Sequence, residues 1–276
     1  MKVEELIIYG KKYLHSQHAK MLLADLLQVN PLELLNHLEE EVQVDIINEY
    51  KKRVEALKEK KPIQYVIGNV NFYGNKFLVN ENVLIPRFET EELIENTLLY
   101  IDKIFPDKNL KVIDLGTGSG CIGITLKLKN PSFDVTLLDI SKEALEVAKQ
   151  NASSLNAQVK LCQNDMLENL EEKYDIIISN PPYIKENEPI EEIVKNNEPH
   201  LALYAGIDGL DCYRKILKEA KYRVNNRFLL AFEIGETQKD AIIELAKLSF
   251  PQAKIDAKKD MQNRDRMMFI YQNEAN

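Results

Sequence analysis

Residues Lys111–Gly120 have the sequence KVIDLGTGSG, in which an apolar run leads directly into closely spaced glycines. The apolar run predicts a buried β-strand, and the glycines predict a tight turn into a helix that starts at Ser119. Four of the ten glycines of the chain fall between Gly116 and Gly123. A loop of this kind lets the backbone approach a ligand closely, beside the electropositive N-terminus of the helix.

From Lys111 onward, strand patterns and helix patterns alternate. Further strands are predicted at Asp134–Asp139, Val159–Cys162, Tyr174–Ser179, Phe228–Ile234 and Met267–Tyr271. Three further helices are predicted: one around Glu89–Ile104, one that begins at Ser141 and one that ends near Leu245. Alternating elements are typical of an α/β fold with a doubly wound, mainly parallel sheet. Such a sheet binds its ligand at the carboxyl ends of the strands, so the loops that follow the strands are the candidate functional site.

The first part of the chain has a different pattern. Up to about residue 61, apolar residues recur at helical spacing in four short segments, which predicts a small all-α bundle. Residues 62–85 are expected to form a β-hairpin linker, with strands at Tyr65–Ile67 and Phe77–Val79. We therefore expect a helical bundle at 1–61, the linker at 62–85 and a catalytic domain at 86–276. The bundle contains no cluster of catalytic residue types, which favours a role in docking a substrate protein.

The composition limits the classes of protein to which the chain can belong. Its 276 residues, 45% hydrophobic and 29% charged, can bury a core, which excludes a disordered or fibrous protein. A formal net charge of -8 argues against affinity gained by coating a nucleic-acid backbone. Three widely spaced cysteines predict free thiols, with no disulfide and no metal site. With no signal-peptide core and no apolar run near ~20 residues, we expect a cytoplasmic protein without a membrane partner.

The glycine-rich loop fits two classes of cofactor. Gly118, Gly120 and Gly123 satisfy the pattern G-x-G-x-x-G, and Asp139 follows at the distance typical of the ribose-binding acid of nicotinamide enzymes. The loop alone therefore fits either a dinucleotide or S-adenosylmethionine. The candidate cofactor ligands are the loop, the acid that ends the second strand and two residues after the third strand: Gly116, Thr117, Gly118, Ser119, Gly120, Asp139, Asp165 and Met166.

The loop after the fourth predicted strand distinguishes the two classes. It has the sequence Asn180-Pro181-Pro182-Tyr183. Prolines lack an N–H and hold the preceding residue extended, so Asn180 is fixed at the tip of the sheet and the backbone carbonyls stay available. The Asn180 carboxamide oxygen and the Pro181 carbonyl can accept both hydrogen bonds of one NH2 group. The Tyr183 ring offers a flat face for a planar amide or base.

These acceptors predict methyl transfer to a planar NH2 nitrogen. A dehydrogenase would need a proton donor or acceptor near the hydride acceptor, and three of the four histidines lie in the helical part of the chain. Hydrogen bonds from the NH2 group would orient its nitrogen for in-line attack and favour positive charge on it. This chemistry requires neither a metal nor a strong general base.

The motifs DLGTGSG at 114–120 and SNPPYI at 179–184 together resemble the class I S-adenosylmethionine-dependent amino-methyltransferases. Three further segments resemble the peptide chain release factor-specific protein-(glutamine-N5) methyltransferases: LIPRFETEEL at 84–93, EPHLALYAGIDGLDCYRKI at 198–216 and FEIGETQ at 232–238. The resemblance spans nearly the whole chain. It implies a sheet of seven strands. It also implies that S-adenosylmethionine binds at 116–120, Asp139, 165–166 and Asn180, with S-adenosylhomocysteine as the product.

The same resemblance implies a substrate, the glutamine of the Gly-Gly-Gln loop of bacterial release factors. Its contacts would be Asn180, Pro181, Pro182 and Tyr183, of which Asn180, Pro181 and Tyr183 are the expected catalytic residues. The sequence departs from the family at two positions. Phe88 replaces a proline that is usual after Ile-Pro-Arg, and Met166 stands where relatives often have an aromatic residue beside the adenine.

Two other functions compete with this one. The alternative within the same chemistry is N-methylation of exocyclic amines of DNA or RNA bases, which predicts a basic stripe or a target-recognition domain. The 1–61 segment is mixed in charge and the chain is acidic, so the pattern favours a protein substrate and no direct contact with nucleic acid. A non-enzymatic interaction module with a degenerate catalytic half is disfavoured by the intact loops at 116–120 and 180–183.

Overall fold

The structure is a computed structural model that describes residues 1–107 and 109–273. The chain divides into two compact units. The first contains Met1–Asn69 and the short segment Glu191–Asn197, and the second contains Val70–Ile190 and the described residues from Glu198 onward. None of the described helices has both the length and the apolar character that crossing a bilayer requires.

The elements follow one another in an order that separates an all-helical beginning from an alternating α/β remainder. The described helices are α1 (Val3–Lys11), α2 (Ser16–Leu27), α3 (Val44–Lys58), α4 (Ile63–Ile67), α5 (Phe88–Ile104), α6 (Cys121–Lys129), α7 (Lys142–Ser154), α8 (Glu192–Asn197), α9 (Asp211–Arg223) and α10 (Lys239–Ser249). The described strands are β1 (Asn69–Phe72), β2 (Asn75–Leu78), β3 (Lys111–Leu115), β4 (Asp134–Asp139), β5 (Lys160–Gln163), β6 (Tyr174–Ser179), β7 (Val224–Glu233), β8 (Lys254–Lys259) and β9 (Asp265–Gln272).

The first unit is the predicted all-α bundle, which is confirmed. Tyr50 in α3 is fully buried, and its hydroxyl donates a hydrogen bond to the Ala19 carbonyl at 3.1 Å. Gly10 in α1 packs directly against this ring, since a Cβ at Gly10 would lie 2.1 Å from the Tyr50 hydroxyl oxygen. The third of the four predicted helical segments is a short 3-10 helix, Glu33–His37.

The predicted first strand of the hairpin is wrong. Tyr65–Ile67 belongs to the helix α4, which begins after Pro62 and ends where Gly68 adopts a left-handed conformation with φ of 84°. The hairpin itself is present one turn later, as β1 and β2 around Tyr73 and Gly74. The β-branched residues of Tyr65–Ile67 suggested a strand, but a proline at the N-cap and a glycine at the C-cap favour a short helix.

The second unit contains a seven-stranded sheet in the order β5-β4-β3-β6-β7-β9-β8. Neighbouring strands from β5 to β7 are parallel, and β9 runs antiparallel to both β7 and β8. The predicted doubly wound, mainly parallel sheet is therefore confirmed. The strand order reverses between β3 and β6, which pair with Leu115 opposite Ser179. This switch point brings the glycine-rich loop and the Asn180 loop together at the carboxyl ends of β3 and β6.

Alternate residues of the central strands supply two separate apolar layers. Val112 of β3 packs with residues of α5 and α6, whereas Ile113 of the same strand packs with residues of α9 and α10 on the opposite face. Both faces are covered by helices, as a parallel sheet requires. The sequence patterns missed α9 and the edge strand β8. The β8 segment, with the sequence KIDAKK, is largely exposed and has too few apolar residues to show a strand pattern.

Candidate functional site

A cavity of about 400 Å³ opens in the second unit where β3, β4 and β6 end. This volume lies within the range of small-molecule sites. Nine of the predicted site residues line it: Gly116, Thr117, Gly118, Ser119, Asp139, Asp165, Met166, Asn180 and Pro182. Gly120, Pro181 and Tyr183 belong to the same loops but do not line the cavity. The sequence analysis missed two parts of the wall, Glu81–Arg87 without Ile85 and Pro199–Ala202.

The glycine-rich loop is held from beneath by Asp114, the fourth residue of β3. One carboxylate oxygen of Asp114 accepts hydrogen bonds from the Thr117 hydroxyl at 2.6 Å and from the Gly123 N–H at 3.0 Å. The other oxygen is buried and has no hydrogen-bond partner among the described residues. Complete burial raises the pKa of this carboxyl from 3.8 to about 7, although the bonds from Thr117 and Gly123 lower it. The sequence analysis did not identify this supporting role.

The glycines of the loop and the glycine at the start of α6 have different roles. Gly116 and Gly118 adopt positive φ angles of 65° and 54°, and a Cβ at either position would meet no atom within 4 Å. These two glycines therefore expose their backbone to the cavity. At Gly123 a Cβ would lie 2.3 Å from Leu137, so this glycine lets α6 pack closely against β4.

Asp139 ends β4 and connects two loops through its carboxylate. One oxygen accepts a hydrogen bond from the Gly118 N–H at 2.8 Å, and the other accepts one from the Ser141 N–H at 2.9 Å. Burial raises the pKa of this carboxyl, and the backbone bonds oppose the shift. Each carboxylate oxygen has two acceptor positions, so both oxygens can still accept a ligand hydroxyl. Ser141, rather than Asp139, caps α7, since its hydroxyl accepts the Ala144 N–H at 3.0 Å.

Asp165 and Met166 lie together at the cavity beyond β5. The Asp165 carboxylate pairs with the Lys215 ammonium at 2.5 Å, so a ligand donor at this position would share the carboxylate with a lysine. Met166 has a φ of 51°, a left-handed conformation that is uncommon for a residue with a side chain. The turn at Met166 places the residue in the cavity wall.

Asn180 is half-buried and lies at the end of β6 beside α5. Its carboxamide nitrogen donates a hydrogen bond to the Thr90 hydroxyl at 3.1 Å. The Thr90 hydroxyl in turn donates to the Glu233 carboxylate at 2.6 Å. The nitrogen end of the carboxamide is thus directed into the protein, which leaves the oxygen as the end that can accept a hydrogen bond from a ligand.

The two prolines and Tyr183 form the rest of this loop. Pro181 is buried, whereas Pro182 and Tyr183 are half-buried. The Tyr183 hydroxyl is 3.4 Å from the second oxygen of Glu233, and the Tyr183 carbonyl accepts a hydrogen bond from the Gln238 side chain at 3.0 Å. Burial, together with the negative charge of Glu233, raises the pKa of the Tyr183 phenol above its ordinary value. The tyrosine therefore remains a neutral hydrogen-bond donor.

Arg87 directly precedes α5 and Glu89 lies in its first turn, and each forms its own ion pair. Arg87 pairs with the buried Glu198 at 2.5 Å, and the second oxygen of Glu198 accepts the Ile85 N–H at 3.1 Å. These contacts connect the two wall segments that the sequence analysis missed. Glu89 instead pairs with Arg264 at 3.1 Å. Both residues therefore stabilise the wall of the cavity and the start of α5.

The charge of the cavity selects between the two cofactor classes left open by the glycine pattern. Its charged lining residues are four acids and one arginine: Glu81, Asp139, Glu143, Asp165 and Arg87. This lining repels the pyrophosphate of a dinucleotide and suits a cation such as the sulfonium and ammonium of S-adenosylmethionine. The open backbone at Gly116 and Gly118 and the free acceptor positions of Asp139 fit that molecule as well. In the described part of the chain, no group of three acidic, histidine or cysteine side chains is arranged to hold a metal ion.

The sheet order, the glycine-rich loop after β3 and the cavity at the strand ends define a class I methyltransferase. Solved structures share this fold: a methyltransferase from Pyrococcus furiosus has a TM-score of 0.53 at 16% identity, over 72% of this chain and 90% of that one. The hMettl16 catalytic domain, solved in complex with the MAT2A 3'UTR hairpin 6, has a TM-score of 0.55 at 14% identity, over 81% of each chain. These likenesses concern the fold alone.

Sequence comparisons identify the family. Residues 86–203 match the family described as Methyltransferase small domain, and residues 5–68 match the PrmC N-terminal domain. The protein named Release factor glutamine methyltransferase in Bacillus anthracis is 39% identical over 98% of this chain and 99% of its own length. The protein of that name in Bacillus subtilis is 43% identical over 85% of this chain and 83% of its own. The chain belongs to the release factor glutamine methyltransferase family.

Proposed function

We propose that this protein transfers a methyl group from S-adenosylmethionine to the side-chain amide nitrogen, N5, of a glutamine in peptide chain release factors. The glutamine is that of the Gly-Gly-Gln motif. The observation that carries the choice of substrate is the near full-length relationship to enzymes named for this activity. A substrate that acts in translation also implies a cytoplasmic enzyme.

The chemistry rests on the acceptors at Asn180. When bound, S-adenosylmethionine supplies a methyl group on a positively charged sulfur, which makes the methyl carbon a strong electrophile. The Asn180 carboxamide oxygen and the Pro181 carbonyl accept the two N–H hydrogen bonds of the glutamine amide. These bonds orient the amide nitrogen and favour the positive charge that develops on it during in-line attack. The proton leaves after the C–N bond has formed.

The remaining predicted residues hold the two reactants. Asp139 binds the ribose hydroxyls with the acceptor positions that its backbone bonds leave free, and 116–120 approaches the rest of the cofactor through its backbone. Asp165 and Met166 contact the adenine. Pro182 forms the surface on which the glutamine amide lies. Gly120, Pro181 and Tyr183 do not line the cavity, so Gly120 and Tyr183 would act mainly by shaping the two loops.

A methylation assay tests this function directly. Purified protein is incubated with radiolabelled S-adenosylmethionine and a release factor, and with the same factor carrying Gln→Ala in the Gly-Gly-Gln motif. We expect label on the first factor and none on the second. Parallel reactions contain bare DNA or ribosomal RNA, because N-methylation of base amines is the alternative. Label on nucleic acid, with none on the factor, would overturn the proposal.

We also propose three functional parts, with the bundle at 1–61 docking the release factor, residues 62–85 as linker and 86–276 as catalytic domain. Two exposed leucines of the first unit, Leu32 and Leu35, suit an apolar contact with a protein. Changing both to serine should raise the KM for the intact factor but leave the KM for a short Gly-Gly-Gln peptide unchanged. Leu248→Ser is the matched control, since Leu248 is as exposed as Leu32 but lies in α10. Equal effects on factor and peptide would contradict docking by the bundle.

A further inference from the structure

Two buried residues that are not among the predicted site residues are hydrogen-bonded in series to Asn180. Thr90 in α5 and Glu233 at the end of β7 are each 2% exposed. The series runs from the Asn180 carboxamide nitrogen to the Thr90 hydroxyl at 3.1 Å, and from there to the Glu233 carboxylate at 2.6 Å. The second oxygen of Glu233 lies 3.4 Å from the Tyr183 hydroxyl.

The register of the sheet explains why these residues meet. Ser179 of β6 pairs with Phe232 of β7, so the residues that follow them, Asn180 and Glu233, are neighbours at the carboxyl ends of adjacent strands. Helix α5 packs over this part of the sheet and brings Thr90 between them. The buried Glu233 carboxylate is thereby connected to both polar side chains of the 180–183 loop. It lies beside the Tyr183 hydroxyl, and it is linked to Asn180 through the Thr90 hydroxyl.

With Glu233 ionised the series has a direction, because a carboxylate accepts hydrogen bonds and cannot donate them. Thr90 must therefore use its only hydroxyl proton toward Glu233. The Thr90 oxygen can then only accept from Asn180, which requires the NH2 end of the carboxamide to face Thr90. The carboxamide oxygen is consequently turned away from Thr90. The reversed amide would place two acceptors against each other and would offer an NH2 group to the substrate NH2 group.

We propose that Thr90 and Glu233 are positioning residues that fix the orientation of the Asn180 carboxamide, so that its oxygen faces the amide nitrogen to be methylated. This role rests on the proposed function, in which Asn180 accepts a hydrogen bond from that nitrogen. Burial raises the pKa of the Glu233 carboxyl, and the hydrogen bond from Thr90 and the positive charge of Arg266 oppose this shift. Neither Thr90 nor Glu233 contacts the reacting atoms in this arrangement.

The first test replaces the Thr90 hydroxyl. Thr90→Val keeps the shape of the side chain but removes the link, and Thr90→Ser keeps the hydroxyl. We expect Thr90→Val to lower kcat for the release factor by ~10- to 100-fold, since an orientation-dependent bond to the reacting group is lost. Thr90→Ser should stay within ~3-fold of the wild type, and the affinity of every variant for S-adenosylmethionine should also stay within ~3-fold.

Thr97→Val is the matched control. Thr97 is a fully buried threonine of the same helix, and its hydroxyl donates to the Leu93 carbonyl within that helix at 2.6 Å. We expect this variant to retain wild-type kcat, even if it melts at a lower temperature. Wild-type kcat in Thr90→Val would overturn the positioning role. Equal losses in Thr90→Val and Thr97→Val, or no rescue by Thr90→Ser, would overturn it as well.

The second test measures the hydrogen bond without any substrate. In a protein with 15N-labelled asparagine, the Asn180 side-chain NH2 signal is assigned by its loss in Asn180→Asp. We expect its protons to exchange slowly with solvent in the wild type and in Thr90→Ser, and at least ~10-fold faster in Thr90→Val. Unchanged exchange in Thr90→Val would contradict the link. If the exchange rates follow this expectation but the wild type methylates no release factor, the proposed function fails and the side-chain series stands.

Glu233→Gln tests the other end of the series. The glutamine side chain has one acceptor and one donor end, so it cannot accept from Thr90 and from Tyr183 on separate oxygens. We expect a fall in kcat, and we expect the double variant with Thr90→Val to be no more than ~2-fold slower than the slower single variant, because both act through Asn180. Multiplicative losses in the double variant would show that the two residues act independently and would contradict the series.

Discussion

The two loops that form the site follow neighbouring strands, yet they are built in different ways. The loop after β3 presents its backbone, and it is held by Asp114 just before it, by Gly123 just after it and by Asp139 at the end of the next strand, β4. The loop after β6 presents a side chain, Asn180, whose supports Thr90 and Glu233 come from distant parts of the chain. The first loop is therefore specified within the single unit β3-α6-β4, whereas the second depends on the completed fold of the sheet and α5.

The largest expected effect is that of Asn180→Ala, which removes the acceptor of the second loop. We expect kcat for the release factor to fall at least ~100-fold, because the bond that orients the amide nitrogen is lost. Affinity for S-adenosylmethionine should stay within roughly tenfold, about 1.4 kcal/mol. Kinetics and calorimetry measure the two effects. Asn225→Ala is the control, because Asn225 is also half-buried and also donates a hydrogen bond through its side-chain nitrogen, to the Asp175 carboxylate, but lies at the opposite end of the sheet. Loss of cofactor binding would make Asn180 chiefly a cofactor ligand.

Within the first loop, two glycine substitutions should separate packing from binding. Gly123→Ala should lower the free energy of unfolding by about 2 kcal/mol, because the new Cβ would lie 2.3 Å from Leu137. Gly118→Ala enters open space but has a φ of 54°, so its cost in stability should be about 1 kcal/mol. Its main effect should be on S-adenosylmethionine, with affinity reduced by ~10-fold or more, since the Cβ enters the cavity. Urea denaturation measures the stability and calorimetry the affinity for S-adenosylmethionine. A larger loss of stability in Gly118→Ala, or a larger loss of affinity in Gly123→Ala, would contradict the separate roles of the two glycines.

An effect of pH on stability, rather than on kcat or affinity, should come from Asp114. Its pKa rises from 3.8 to about 7 on folding. Below pH 4 the carboxyl is protonated in both the folded and the unfolded chain and contributes no pH dependence. Between pH 4 and pH 7 the unfolded chain releases the proton while the folded chain keeps it, so the free energy of unfolding falls as the pH rises. Above pH 7 this contribution is constant.

Asp114→Asn removes this titration. The free energy of unfolding of the wild type, minus that of the variant, should therefore decrease from pH 4 to pH 7 and then level off. Urea denaturation at several pH values measures the difference, in which the other titrating groups largely cancel. A difference that stays constant, or that increases with pH, would show that Asp114 is ionised in the folded protein.

The contrast between the loops also explains which parts of the structure were predictable. The bounds of β4 and β6 agree with the sequence patterns because five of the six residues of each strand are buried, and their central residues are mainly apolar. The glycine-rich loop and Asn180 were recognised because each is contained in a short motif. Thr90 and Glu233 were not assigned to the site, although both lie in segments that resemble the family, because neither local sequence shows that β7 and α5 will meet at Asn180. Helix α4 was misassigned because its five residues carry too little periodicity to compete with β-branched residues.

The smallest effect concerns Phe88, the departure from the family's usual proline. Phe88 is the first residue of α5, is 62% exposed, and follows Arg87, whose extended backbone has φ and ψ of -99° and 153°. Proline is favoured at a first helical position, and an extended conformation is the one that a residue before proline prefers. Phe88→Pro should therefore leave kcat unchanged and raise the free energy of unfolding by ~0.4–1 kcal/mol, because it restricts the unfolded chain.

Phe88→Ala separates the effect of proline from the loss of the phenyl ring. In urea denaturation, the free energy of unfolding should be higher for the proline variant than for the wild type, and that of the alanine variant should be close to the wild-type value. Because α5 carries Thr90, a fall in kcat in Phe88→Pro alone would show that the start of this helix must move during the reaction. A fall in both variants would instead show that the exposed ring contacts the substrate protein. Unchanged kcat in both variants would show that the orientation of Asn180 depends on Thr90 and Glu233 and not on the residue with which α5 begins.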